Sequence, residues 1–300
     1  MLRAFSFEGE NVREIVVTAP AKINLHLGIG SVRPDGFHDV TTVLHTLELA
    51  DSIRLTPADT FSLTCSEDLG IPAEKNLAFL AALAFAQEFG EPTGVAIELT
   101  KRVPAGAGLA GGSSDAAAVL AGLGAMTGRD SCDPRLVTLA KRIGADTAFF
   151  LHGGAALMSG RGDELVRTLP PLRVDVALVK PGDPVHTAQA YRTFDEAPVP
   201  ASSHDAVVAA LDAGDPVALG ATLANNMTTC AITLVPQVAE ALAWISAEPG
   251  VLGAAVAGSG SCVFALCADA GVAQRIAREA PMHDLWGAAT ATRLSGVTCS

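Results

Sequence analysis

A chain of 300 residues with 49% hydrophobic and 17% charged residues is globular, not disordered, and is long enough for two domains, each with its own core. Its net charge of −12 argues against a nucleic-acid partner, because a phosphate backbone would meet a repelling surface. Six cysteines (Cys65, Cys132, Cys230, Cys262, Cys267, Cys299) lack C-x-x-C spacing and no histidines pair as H-E-x-x-H, so the thiols are expected to be reduced and mostly buried in a cytoplasmic protein.

The first residues carry charges (Arg3, Glu8, Glu10, Arg13, Glu14) with no apolar signal region, and they read as a short disordered lead-in. Residues 15–17 begin a strand, Pro20 interrupts it, and residues 21–27 resume with strict alternation. Ile23, Leu25 and Leu27 face one way and Lys22, Asn24 and His26 the other. That polar row is either a solvated edge or a cation, an amide and an imidazole set to orient a hydroxyl and its acceptor. Lys22 stands out because lysine is scarce in an acidic chain whose anionic ligands need a placed cation. Asp35-Gly36 marks a tight turn, followed at once by Phe37-His38, an aromatic plane beside a hydrogen-bonding ring that can stack on a base and read it. Residues 40–49 and 52–55 continue as strands. The apolar run 77–86 is too short to span a bilayer and reads as a fully buried helix stopped by Gly90.

The most informative stretch is 101–118, a glycine-rich loop running into an alanine-rich helix. Val95, Ile97 and Leu99 alternate with polar or small residues as a strand, and Pro104, without an N–H, ends its ladder. Gly106, Gly108, Gly111 and Gly112 supply positive φ and bare amides, Ser113 or Ser114 suits the N-cap, and Asp115 suits the positive first turn. Several unpaired amides and a helix N-terminus then converge where phosphate binds best. The loop has no lysine before Ser113-Ser114, so it is not a Walker A loop. Gly106, Gly108 and Gly111 do satisfy G-x-G-x-x-G, but Asp133-Pro134 opens another helix where a dinucleotide fold needs a parallel strand.

That helix, 135–143, closes at Gly144. Asp146, the one charge in the apolar stretch after it, is either the N-cap of the next helix or a placed acid/base, and the two roles are compatible. Beyond residue 153, strands are expected at 155–158, 164–169 and 174–179, with the domain junction near residue 155, giving domains 1–155 and 156–300. Helices follow at 186–194, 206–213, 216–223, 236–247 and 274–279. A second small-residue turn, 256–262, lies between apolar segments, and the last strand is expected near 289–294. The class is an α+β sandwich.

Five motifs, Pro20-Ala-Lys-Ile-Asn-Leu25, Arg33-Pro-Asp-Gly-Phe-His38, Pro104 to Ala117, Ile143-Gly-Ala-Asp146 and Ala257-Gly-Ser-Gly-Ser261, fall in the order found in the GHMP kinases. The first two resemble the branch that phosphorylates the 2-hydroxyl of a cytidyl diphosphate ester of methylerythritol in non-mevalonate isoprenoid precursor synthesis. The resemblance covers nearly the whole chain. It implies a ribosomal protein S5 domain 2-like N-terminal domain followed by a ferredoxin-like C-terminal domain, and an ATP- and Mg²⁺-dependent small-molecule kinase. Such an enzyme would work as a cytoplasmic monomer or weak homodimer without nucleic acid or membrane. Lys22 and Asp146 would be the catalytic pair. Pro104, Ala105, Gly106, Ala107, Gly108, Leu109, Ala110, Gly111, Gly112, Ser113 and Ser114 would cradle ATP, with Asn76 and Lys101 nearby. Asn24, Phe37, His38, Tyr191, Gly258, Ser259 and Gly260 would hold the substrate, Tyr191 facing Phe37 across the base.

Three departures from the family pattern are visible. Phe37 replaces a usual tyrosine, Ala107 and Ala110 replace common glycines and require φ below zero, and residues 225–228 lack an expected acidic stretch and receive no role. No metal ligand is named beyond a guess at Ser114. Two other readings remain: a GHMP kinase for a different alcohol, such as mevalonate or a sugar, and a silent nucleotide-binding sensor. ADP release with and without candidate alcohols separates them.

Overall fold

The computed structural model describes residues 14–130 and 133–300, so the expected lead-in over residues 1–13 and the thiol of Cys132 lie outside the described residues. The chain opens with two long antiparallel strands, β1 (Ile15–Val32) and β2 (His38–Pro57). The strands read as interrupted are continuous. Pro20 stays in the ladder and the register shifts between it and Lys22, a bulge that absorbs the missing N–H. Residues 33–37 close the hairpin as expected: Gly36 has φ 83°, and Asp35 Oδ1 accepts from the Phe37 amide.

A short strand, β3 (Ser62–Cys65), was not expected; it precedes α1 (Leu77–Phe89) and β4 (Val95–Thr100), with which it pairs in parallel. Gly90 ends α1 in the left-handed region at φ 74°. Helix α1 is not fully buried. It inserts Ala78, Ala81, Ala82 and Phe85 into the core and leaves Leu80 and Leu83 exposed, a one-sided pattern hidden by the nearly all-apolar sequence. Then come α2 (Gly111–Met126), α3 (Pro134–Ile143), capped by Asp133 onto the Arg135 amide, and α4 (Thr147–His152). Alanines and glycines make α2 slim enough for burial of almost its whole length against β1, β2, α1 and α4.

Strands β5 (Ala155–Ser159) and β6 (Glu164–Leu169) stay in the first sheet, β5 pairing with β2. The second sheet begins at β7 (Asp175–Lys180), so a division by sheet membership falls between Leu169 and Asp175, later than the expected 155. Turn signals mark chain reversals equally within and between sheets, so sheet membership is not legible from them. Helices α5 (Thr187–Glu196), α6 (Asp205–Ala213) and α7 (Pro216–Ala221) follow, then the two-residue β8 (Ala224–Asn225), which pairs in parallel with β1. After them α8 (Thr228–Leu234), another unexpected element, leads to α9 (Gln237–Ala247), β9 (Val251–Val256), β10 (Val263–Cys267), α10 (Ala270–Glu279), β11 (Trp286–Ala291) and β12 (Thr298–Cys299).

The eight-stranded first sheet carries the order β12-β1-β2-β4-β3, with β5, β6 and β8 attached beside it; the second runs β11-β7-β10-β9, all antiparallel. Ile23, Leu25 and Val43 of the first sheet share one core with Val176, Leu178, Phe264 and Leu266 of the second. At about 25 cal/mol per Å² of apolar surface, that shared layer holds the two sheets in fixed register. No helix among the described residues is long and apolar enough to cross a membrane.

Candidate active site

The bulge at Pro20 turns the Lys22 amide toward the glycine-rich loop, where it donates to Leu109 O at 3.1 Å. The Lys22 side chain follows and is almost wholly buried. Its ammonium donates to Asn24 Oδ1 at 2.7 Å and to Gly108 O at 2.9 Å, and stands 3.7 Å from Asp146 Oδ2. Burial pulls the Lys22 pKa down, and the Asp146 carboxylate beside it opposes that shift. Asn24 in turn donates to Thr42 Oγ1, which donates to His26 O, so both ends of the Asn24 amide are engaged and the group orients Lys22. Thr42 carries no sequence signal, since one threonine among many on a strand looks like any other.

Asp146 occupies the N-cap position of α4, but its side chain caps none of the helix amides. It remains about one-third exposed and facing Lys22. Of the two readings left open for this residue, the geometry favours a placed carboxylate. His26 does not join it: its Nε2 lies 3.0 Å from Ser202 O, and the expected three-residue row ends at Asn24 because the register shifts again between Asn24 and His26.

The loop between β4 and α2 differs from its expected capping. Ala110, not a serine, sits before the helix, in the left-handed region at φ 56°, and no side chain caps α2. The condition placed on Ala110, a negative φ, is not met. Gly111, Gly112 and Ser113 become the first helical turn, and the first amides of a helix have no partner within it. Asp115 therefore falls beyond the first turn, where its carboxylate meets Lys101 at 2.8 Å. Ser114 Oγ and the hydroxyl of Thr147 are buried without partners among the described residues.

Two of the loop glycines answer to packing. A Cβ on Gly106 would stand 2.6 Å from Pro184, and one on Gly108 would stand 1.9 Å from Ala257 O. The second small-residue turn presses on the first: Cys262 N donates to Ala107 O, and Gly258 lies so close that a Cβ there would be 3.2 Å from Lys22 Nζ. Ser259 Oγ lies 3.3 Å from Thr187 Oγ1, and Gly260 has φ 90°. The stretch left without a role supplies the bracing. Asn225 donates to Val256 O and Gly258 O, each at 2.8 Å, and Asn226 ties both polar groups of Ile29 to the second half of the chain.

His38 is buried and its ring lies 5.0 Å from that of Tyr191. His38 Nε2 is 2.7 Å from Asp195 Oδ1, a partner the sequence did not indicate because Asp195 lies 157 residues away on α5. Phe37 is 54% exposed, and the ring contact found for Tyr191 is His38, not Phe37. The Arg161 guanidinium lies 5.1 Å from the Phe37 ring centre. Burial, with the charge of Asp146 adding to it, pushes Tyr191 up to about 12, so the phenol stays neutral. Asn76 caps α1 through its side-chain oxygen onto the Ala78 amide. Lys101 is not free beside the loop but is paired with Asp51 and Asp115.

The GHMP kinase N-terminal domain model matches residues 76–154 and the GHMP kinase C-terminal model residues 207–282. A 4-diphosphocytidyl-2-C-methyl-D-erythritol kinase of Salinispora arenicola is 38% identical over 95% of each chain. One of Salinispora tropica is 40% identical over 90% of this chain and 88% of its own. A crystal structure of a 4-(cytidine 5'-diphospho)-2C-methyl-D-erythritol kinase superposes with a TM-score of 0.78 at 33% identity, covering 92% of this chain and 98% of that one. A homoserine kinase from Cytophaga hutchinsonii shares the fold, with a TM-score of 0.76 at 19% identity over 99% of this chain and 100% of its own. The chain belongs to the GHMP kinases, within the family of 4-diphosphocytidyl-2-C-methyl-D-erythritol kinases.

Proposed function

We propose that the protein transfers the γ-phosphoryl group of ATP to the 2-hydroxyl of 4-diphosphocytidyl-2-C-methyl-D-erythritol, a step of isoprenoid precursor synthesis. The observation that carries the mechanism is the uncapped Asp146 carboxylate, 3.7 Å from a buried ammonium at the glycine loop. The substrate hydroxyl oxygen attacks the γ-phosphorus, the bond to the ADP oxygen breaks, and the hydroxyl proton passes to Asp146. Lys22 stands beside Asp146 before the step and faces the negative charge spread over the transferring group during it. Asn24 holds Lys22 in place, so its part in substrate binding runs through the ammonium.

The loop from Pro104 to Ser114 holds the ATP phosphates on the uncapped start of α2, with Asn76 toward the adenine end and Gly258, Ser259 and Gly260 closing the cleft from the other half. The orphaned hydroxyls of Ser114 and Thr147 and the carboxylate of Asp146 fit Mg²⁺ carried in by ATP. When bound, the ion neutralises phosphate charge. His38 reads the cytosine edge, while Tyr191 and Phe37 offer it their faces. The working form is a cytoplasmic monomer or weak homodimer.

ADP release from Mg-ATP tests this reading with the cytidyl substrate beside mevalonate and homoserine. Turnover confined to the cytidyl substrate is expected. Turnover of another alcohol would move the chain to a different GHMP activity, and ATP binding with no turnover would make it a sensor.

A further inference from the structure

Beneath the glycine loop lies a buried cluster of three charges that the phosphoryl transfer does not use. Asp51, near the middle of β2, is 1% exposed. Its Oδ1 accepts from the Arg102 amide at 2.5 Å and the Val103 amide at 2.9 Å, the two residues before Pro104, and its Oδ2 meets the Lys101 ammonium. The same ammonium donates to Asp115 Oδ2 at 2.8 Å, on α2. A Cβ on Gly111 would lie 3.2 Å from Lys101 Nζ, so the ammonium sits directly under the first residue of the helix. One side chain of β2 thus fixes the entry of the loop through two amides and, through Lys101, the helix at its exit.

The charges rule out the simpler use of Lys101 as a phosphate ligand. Two carboxylates already hold its ammonium, which leaves it no free charge to offer an anion. Burial, with Asp51 adding and Lys101 opposing, pushes Asp115 up to about 7, and its Oδ1 has no partner among the described residues. An arrangement this strained electrostatically is retained more readily for geometry than for stability, since a buried ion network is weak evidence for stability.

We propose that Asp51 is a positioning residue for the nucleotide, holding the phosphate loop in its binding shape through the amides of Arg102 and Val103, with Lys101 and Asp115 as braces and not as ATP ligands. The inference rests on the reading of the loop as the phosphate cradle. Misplacement of a binding group by about 1 Å costs up to about a hundredfold, so loss of the anchor should be read in the nucleotide and not in the alcohol.

The experiment is steady-state kinetics with Mg-ATP and the cytidyl alcohol for Asp51→Ala, Asp51→Asn, Asp115→Asn and Gly112→Val, each checked for folding by thermal melting. Asp51→Ala should raise KM for ATP by about tenfold or more and leave KM for the alcohol within about twofold. Asp51→Asn, which keeps an oxygen for the two amides but turns an N–H toward the Lys101 ammonium, should recover part of that loss. Gly112→Val is the control on the cradle itself: a Cβ at Gly112 meets only Leu77 at 3.8 Å, so the added side chain reports on the space above the loop. If Gly112→Val raises KM for ATP and a folded Asp51→Ala does not, the positioning role is overturned and the cradle stands. If neither does, the cradle reading fails. Should Asp51→Ala not fold, Asp115→Asn decides: a several-fold rise in KM for ATP alone supports the brace, and an unchanged KM overturns it.

Discussion

Asp146 shows what a residue can do when it declines its local role. Aspartate is a favoured N-cap because its oxygen satisfies a free helix amide. Here the side chain caps none of them and faces Lys22 instead, at 3.7 Å. The hydrogen bonds Lys22 makes to Asn24 and Gly108 O keep the ammonium from collapsing onto the carboxylate. Asn24→Ala should therefore lower kcat by about tenfold, the worth of one hydrogen bond to a charged group, with little change in KM for ATP. Beside His38, Asp195→Asn should raise KM for the cytidyl substrate several-fold without altering KM for ATP, because it loosens the His38 ring. Lys22, Asn24, His38 and Asp146 stand out in the sequence as candidates because each lies in a short motif whose residue types suit the chemistry. Thr42, Asp51, Asp195 and Asn225 do not. Each contacts its partner across long separation, and nothing in a lone threonine, aspartate or asparagine announces a distant partner.

At the scale of elements, the glycine loop is where local rules and the fold disagree. Serine is a better N-cap than alanine, so the helix was expected to begin after Ser113 or Ser114. It begins at Gly111 because the second turn pins Gly108 against Ala257, and the chain recovers its direction by driving Ala110 left-handed. Replacing Ala110 by glycine should relieve that conformation and stabilise the protein by about 0.5–1 kcal/mol in denaturant unfolding. Gly108→Ala should do the reverse and lower the melting temperature sharply, since its Cβ would sit 1.9 Å from a backbone oxygen. The strands and long helices were readable from periodicity and caps. The short β3, β8 and β12 were not, because segments of two to four residues hold no period and exist only where a neighbouring strand accepts them.

The whole molecule is organised by the shared core between its sheets. His45 is fully buried beside that layer, its Nδ1 3.0 Å from Thr46 O, and burial pushes its pKa down to about 4. The unfolded chain takes up a proton near pH 6.5 that the folded chain refuses until about pH 4. Stability from this residue is thus full above pH 6.5 and declines as pH falls through that window, by up to about 3 kcal/mol. Melting temperatures between pH 4 and 7 should fall with acidity less steeply in His45→Leu than in the wild type.

The central claim, that Asp146 takes the hydroxyl proton beside Lys22, is tested most directly by single-turnover phosphoryl transfer with saturating Mg-ATP and cytidyl alcohol in Asp146→Asn. The account predicts a transfer rate at least about a hundredfold below the wild type, with ATP and alcohol affinities changed by no more than about threefold. A folded variant that transfers phosphate within about threefold of the wild-type rate would contradict it.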